Sequence, residues 1–204
     1  KFDLKKFNFL KELISEVDQV FINGDFWDGY LTSFNNFVKS RWSELFSLLL
    51  EKQTIYIYGN HDDISMQNSQ SALFCKEVRD SFELKIGENT FKIEHGHRIA
   101  PSIEMVYPLF KNKLSAILGL VIEGVLVKLF GRKILHVIYK SKNKKMLNWS
   151  IHNLKKNEYL VCGHSHSIKF DKINRFINTG FIRYGIGQFL IIENSEINLV
   201  DKSY

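Results

Sequence analysis

Four short stretches bring together the residue types that bind cations and move protons. They are Gly24-Asp25-Phe26-Trp27-Asp28, Gly59-Asn60-His61-Asp62, His95-Gly96-His97 and Gly163-His164-Ser165-His166. Five of the seven histidines fall in the last three. Singly, a Gly-Asp or Gly-His pair is common in ordinary turns; four in this order are not. Imidazole nitrogen with carboxylate and amide oxygen makes a donor set suited to Mn²⁺, Fe²⁺, Zn²⁺ or Co²⁺. A carboxylate can bridge two such ions about 3.5–4 Å apart, a geometry that activates water and clamps a phosphoryl group during in-line displacement. Glycine ahead of the ligand positions lets the backbone turn sharply beneath the ions.

These stretches need a rigid frame, and the hydrophobic pattern supplies one. Phe7, Leu10, Leu13, Ile14 and Val17 recur at helical spacing, so a helix is expected from about Asp3 to Val17. A second is expected from Phe34 to Leu49. Short β-branched and aromatic runs predict strands at 19–23, 54–58, 91–94 and 159–162, each running into one of the four turns. Residues 82–86 and 91–94 flank Gly87-Glu88-Asn89 as a hairpin, and 99–156 read as largely helical. Further strands are expected near 168–170, 175–178, 188–193 and 197–200. Sites of this kind are usually built where a sheet presents its strand-end turns.

The pattern resembles the calcineurin-like metallophosphoesterase superfamily, with its blocks DxH, GDxxD, GNH(D/E), a lone His and GHxH. Four of the five blocks are present between about Val20 and Gly180. The resemblance implies a four-layer αββα sandwich, with core residues 1–98 and 157–204 and a helical cap inserted at 99–156. It implies two divalent metal ions, Mn²⁺ first, with Fe²⁺, Zn²⁺ or Co²⁺ also fitting. Asp25 would be the bridging carboxylate, Asn60, His95 and His164 would complete one metal, and His166 would join Asp25 at the other. His61 would serve the leaving oxygen, with Asp62 and Asp28 orienting these groups. No counterpart of the first block precedes Asp25: Asp3 is followed two residues later by Lys5. The expectation is that an opening strand carrying it lies before Lys1; a degenerate first metal site is the other explanation.

Around this core, bulk properties add bounds. The 204 residues suit one domain with an insertion, and Cys75 and Cys162 form neither a disulfide framework nor a CxxC pair, which suits a reducing, cytoplasmic setting. The net charge of +6 is concentrated: residues 111–145 hold nine basic residues and one acid, Glu123, a net +8 against −2 elsewhere. Leu114 to Phe130 is apolar except at Ser115, Glu123 and Lys128, too short and interrupted for a membrane span. Either it is a helix buried against the domain, or it is an apolar cap with a basic rim, able to meet an anionic membrane at its inner face. His97 is open between a site and a structural role, Arg98 between substrate phosphate and solvent. His136 and His152 are expected at the surface, Trp27 and Tyr30 in packing.

The GDFWDGY stretch, the His-Gly block, the helical insertion and Asn178-Thr179-Gly180 are also similar to UDP-2,3-diacylglucosamine pyrophosphatase-like enzymes. That similarity implies hydrolysis of a phosphodiester or pyrophosphate bond in a small nucleotide-linked or lipid-linked substrate. HGH in place of the usual His-Gly-Asp leaves the substrate open. A phosphodiesterase, nuclease or protein phosphatase of the same fold is one alternative. Nucleic acid is not the expected partner, because the basic residues cluster with apolar ones and not along a groove with aromatic platforms. A non-catalytic interaction module with a degenerate first metal site is the other alternative.

Overall fold

The computed structural model describes residues 2–66 and 68–204. Its strands are β1 (Phe21–Asn23), β2 (Ile55–Ile57), β3 (Glu77–Arg79), β4 (Ser81–Ile86), β5 (Asn89–Glu94), β6 (Glu158–Cys162), β7 (Lys169–Asp171), β8 (Phe176–Asn178), β9 (Ile182–Arg183), β10 (Ile186–Glu193) and β11 (Glu196–Ser203). The helices are α1 (Leu4–Ser15), α2 (Phe34–Val38), α3 (Phe46–Glu51), α4 (Ile103–Val106), α5 (Lys113–Phe130), α6 (Ile134–Ile138) and α7 (Lys140–Asn153). Strands β1, β2 and β3 pair in parallel. A five-stranded sheet runs β4-β5-β6-β8-β7, with β5, β6 and β8 parallel and the edges antiparallel. Strands β9, β10 and β11 form an antiparallel group.

Period-two alternation sorts the side chains into layers. Ile57, Phe91, Ile93, Val161 and Ile177 point inward and meet Leu190, Ile192, Ile197 and Leu199 of β10 and β11. Their neighbours Tyr56, Leu160, Cys162 and Phe176 face the other way, onto helices. Phe7 and Ile14 of α1, Phe37 of α2 and Leu49 of α3 cover Tyr56 on one side. Met146 of α7 covers Leu160, Cys162 and Phe176 on the other. Helix, sheet, sheet, helix: this is the αββα sandwich.

Local chemistry explains most boundaries. Asp3 caps α1 by accepting from Lys6 N, and Asn112 caps α5 by accepting from Ser115 N. Gly131, at φ 70°, closes α5. The hairpin pairs Ile86 with Asn89 across Gly87-Glu88, with Gly87 at φ 58°. The single helix expected over 34–49 is instead two helices joined by a 3₁₀ segment, Arg41–Leu45. There Ser40 Oγ donates to Phe37 O and Ser43 Oγ to Ser40 O, local bonds that compete with a continuous α-helix. Strands β3 and β9 were not legible: β3 reads Glu-Val-Arg, with no apolar alternation to mark it.

The helical segment divides in two. Helix α7 belongs to the outer layer of the core, with Met146 fully buried. Helix α5 does not: Leu114, Leu118, Val121, Ile122, Val125 and Leu129 are all exposed, Leu114 at 76%. Its buried residues are Glu123 and Val127. Among the described residues no helix is long and apolar enough to cross a membrane.

Stability should separate the two helices. Met146→Ala, which opens a cavity over the five-stranded sheet, should cost about 2–5 kcal/mol. Leu118→Ala on the open face should stay within about 0.5 kcal/mol. Urea unfolding measures both, and a large loss from Leu118→Ala would mean that α5 is packed, contrary to its exposure.

Candidate functional site

The four motif turns lie at the ends of β1, β2, β5 and β6, and hydrogen bonds stitch them together. Gly163 N and His164 N both donate to His95 O, at 3.1 and 3.0 Å. His61 N donates to Asp25 Oδ1 at 3.0 Å, and Gly29 N to His61 O at 2.7 Å. Asp62 joins the first two turns: it accepts from Phe26 N at 2.7 Å, from Gly59 N at 2.6 Å and from Tyr56 OH. Burial, followed by the charge of Asp25, pushes its carboxyl up to about 6.

Two glycines are dictated by close approach. A Cβ on Gly59 would lie 2.1 Å from Asp25 Oδ1, and one on Gly24 would lie 2.2 Å from His95 Nδ1. Asp25 itself adopts φ 54°, a left-handed conformation that Asp tolerates better than most residues. These contacts bring Asp25 to the centre, with Oδ2 3.2 Å from His95 Nε2. Burial opposes its ionisation, but the charge and hydrogen bond of His95, followed by the charge of His61, hold its carboxyl well below the usual range.

The imidazoles are set individually. His95 Nδ1 lies 2.7 Å from Asn23 O, which accepts its proton and turns Nε2 inward. The His95 and His164 rings are 5.1 Å apart, and His97 lies 5.5 Å from His95 and 6.4 Å from His164. Burial, then the charge of His95, pushes His164 well below the ordinary histidine value and His97 down to about 4. Both are therefore neutral, the form in which imidazole binds a cation. Lys142 Nζ of α7 lies 3.1 Å from His164 Nε2.

His61 is paired differently. Its Nδ1 is 3.2 Å from Asp28 Oδ2, and its Nε2 is 3.9 Å from Glu104 Oε1. Burial works against protonation, yet the Asp28 hydrogen bond and the charges of Asp25, Asp28 and Glu104 prevail and push it up to about 9. A histidine that stays protonated near neutrality, its ring fixed by a carboxylate, can hand a proton to a departing oxygen.

Fitness for a cation is tested by the atoms left over. Asn60 Oδ1, His164 Nδ1 and His97 Nδ1 are buried with no hydrogen-bond partner among the described residues, and His95 Nε2 has only Asp25 Oδ2, at 3.2 Å. An unpaired buried polar atom costs about 1–3 kcal/mol, so three in these adjoining turns call for a partner. By atom type, Asp25, Asn60, His95 and His164 fit one divalent ion. Their arrangement is not a closed shell: among the described residues no three His, Cys, Asp or Glu side chains are grouped as an ion requires.

His166 and Arg98 stand apart. His166 Nδ1 lies 3.0 Å from Glu123 Oε2 of α5, its ring stacked on Phe181 at 5.4 Å. Arg98 pairs at 2.5 Å with Asp80, both exposed. Glu104, Glu123 and Lys142 also reach the turns without having been singled out by sequence. One sign of Glu123 was on view: it is the sole acid in its basic stretch.

The sequence matches the family described as calcineurin-like phosphoesterase over residues 4–168. No curated protein matches the chain. Among solved structures, it is similar to an archaeal phosphodiesterase, with 17% identity, a TM-score of 0.48, and coverage of 97% of this chain and 92% of that one. It is also similar to vacuolar protein sorting 29 from Cryptosporidium parvum, with 14% identity, a TM-score of 0.40, and coverage of 95% and 86%.

The His61–Asp28 pair yields a pH prediction. In the metal-free chain His61 should titrate near 9, and Asp28→Asn, which keeps Oδ1 for the backbone, should bring the midpoint down toward 6.5. Because the folded value is raised, the pair's stabilisation is full below about 6.5 and disappears as pH climbs through about 9. NMR titration of the histidine ring protons reads the midpoint; an unmoved value in the variant removes Asp28 from this role.

Proposed function

The chain belongs to the calcineurin-like phosphoesterase family and is a hydrolase acting on phosphoester bonds, and from that premise we propose that it cleaves a phosphodiester or pyrophosphate bond in a nucleotide-linked or lipid-linked substrate. The observation that carries the catalytic part is the pair of buried, unpaired atoms Asn60 Oδ1 and His164 Nδ1, with His95 Nε2 3.2 Å from an Asp25 carboxylate held ionised.

Asp25, Asn60, His95 and His164 would hold one divalent ion, with Asp25 and His166 serving a second; Mn²⁺ is the proposed metal, with Fe²⁺, Zn²⁺ or Co²⁺ suiting the same donors. Bound ions supply an acidified water and neutralise phosphoryl charge. The chain's own residues do the rest. His61, protonated at Nδ1 toward Asp28, directs its other nitrogen to the leaving oxygen and donates the proton there. Asp62 holds the turns bearing Asp25 and His61 in register. His97, buried beside His95, lines the same place. Arg98 would have to leave Asp80 to reach a phosphate.

The lipid part rests on a separate surface. Helices α4 and α5 and the turn between them expose large apolar side chains, Leu109 at 84% among them, next to the basic stretch. Apolar contact with attraction for anionic headgroups suits a peripheral seat on a membrane, at its cytoplasmic face. A lipid-linked substrate would then enter from the same side.

Two measurements test this. Asp25→Ala and Asn60→Ala should abolish Mn²⁺-dependent cleavage of an aryl phosphodiester, and His61→Ala should slow it by about 10²–10⁴-fold. Undiminished turnover in any of them ends the assigned role. The chain should sediment with phosphatidylglycerol vesicles but not with phosphatidylcholine vesicles. Lys113→Glu with Lys128→Glu and Lys133→Glu should release it; equal binding to both vesicles would remove the anionic surface. Faster cleavage of single-stranded DNA than of lipid-linked nucleotides would favour a nuclease.

A further inference from the structure

The helical segment contributes two acids to the motif turns, and each bonds a different turn residue. Glu104 Oε1 accepts from Asn60 Nδ2 at 2.7 Å and from Ser102 Oγ. Glu123 Oε2 accepts from His166 Nδ1 at 3.0 Å and from Tyr139 OH. The bonded partners are 44 and 43 residues apart in sequence, so both contacts are products of the fold.

Each acid constrains what its partner can offer. The amide of Asn60 turns Nδ2 to Glu104 and to Ser102 Oγ, at 3.3 Å, because the reverse orientation would set two oxygens against each other. Oδ1 is then the free end, and it is one of the buried atoms without a partner. A carboxylate only accepts, so the neutral His166 ring must carry its proton on Nδ1, leaving a bare lone pair on Nε2. Asn23 O likewise accepts from His95 Nδ1, which turns Nε2 toward Asp25 Oδ2, 3.2 Å away. Asn60 and His166 are thus gripped at one end by a carboxylate and left with a lone pair at the other.

Glu123 would be an odd choice for anchoring alone. It is 7% exposed on a helix whose leucines and valines largely face outward. Burying a carboxylate costs several kcal/mol before pairing, and an apolar side chain often serves an anchor as well or better. The local fit also serves this contact. A Cβ on Gly124 would come within 3.1 Å of the Tyr184 ring, and Tyr184 OH donates to Leu120 O at 2.9 Å. These hold the middle of α5 against the residues flanking β9, where Phe181 stacks on His166.

We propose that Glu104 and Glu123 are positioning residues, which fix the amide orientation of Asn60 and the tautomer of His166 so that each presents a lone pair to a cation. The inserted helices are then a working part of the ion site as well as a surface over it. This rests on the metal-site reading above.

The test uses the full chain and Mn²⁺ alone, by titration calorimetry, with ¹⁵N NMR of the histidine rings. Glu123→Leu keeps the bulk of an anchor but removes the acceptor; Glu104→Leu does the same for Asn60. Each should weaken Mn²⁺ binding about 10–100-fold at the ion its partner holds, while urea unfolding of the metal-free chain stays close to wild type. Glu123→Gln, whose amide oxygen can still accept, should recover much of the affinity. In metal-free Glu123→Leu the His166 ¹⁵N shifts should lose the pattern of a single Nδ1–H tautomer. Wild-type affinity in both leucine variants, or an unaltered His166 tautomer in Glu123→Leu, overturns the positioning role. A wild-type chain that binds no Mn²⁺ overturns the metal reading instead, so the two failures are distinguishable.

Discussion

The site's geometry depends on one buried carboxylate. Asp62 is fully buried and accepts from Gly59 N, Phe26 N and Tyr56 OH. Those donors belong to one strand, β2, and to the two turns that follow β1 and β2, so one side chain ties the end of β1 to the end of β2. Asp25 sits one residue before Phe26, and Asn60 and His61 directly follow Gly59. Hydrogen bonds to a charged acceptor contribute about 1.5–3 kcal/mol each, enough to hold Asp25 in a left-handed conformation that costs a part of one such bond. Asp25 then binds His61 N, and the two turns become one unit.

Outward from that unit, each residue is oriented by a partner that accepts. Asn23 O grips His95, Asp28 grips His61, and Glu104 and Glu123 grip Asn60 and His166. Two of these partners are close to the first turn in sequence, and two come from the helical segment. The opposite treatment of His61 and His164 follows from their surroundings. His61 lies among Asp25, Asp28 and Glu104 and holds its proton; His164 is buried, beside His95 and Lys142, and loses it. A protonated and a neutral imidazole are thereby separated within one small region.

How much of this could be read from the chain follows from the range of each interaction. The four turns were legible because each follows a strand of β-branched and aromatic residues, and local pattern fixes both. The sandwich follows from the alternation of 159–162 and 176–177, where neighbouring residues go to different layers. The break at Ser40 was hidden because Phe37, Trp42 and Phe46 keep a helical spacing across it; only the serine hydroxyls mark the change. The Glu104–Asn60 and Glu123–His166 contacts have no periodicity to betray them. The apolar run 114–130 was equally consistent with burial or with an open face, because a helix apolar all round carries no directional information.

That missing direction is what the structure supplies, and it gives α5 two unlike sides. Toward Phe181 and Tyr184, on either side of β9, it presents Glu123, Gly124 and Val127; away from them, leucines, isoleucines and valines. A helix held only by a narrow buried stripe gains little from propensity, and its place depends on what packs on either side. Any surface that covers the outward side steadies the helix, and with it the carboxylate that orients His166. If lipid occupies that side and a cation the other, the two equilibria are coupled, and linkage requires the effect to be mutual. Lipid would tighten the ion by as much as the ion tightens lipid, a coupling set by how far Glu123 moves when α5 is uncovered.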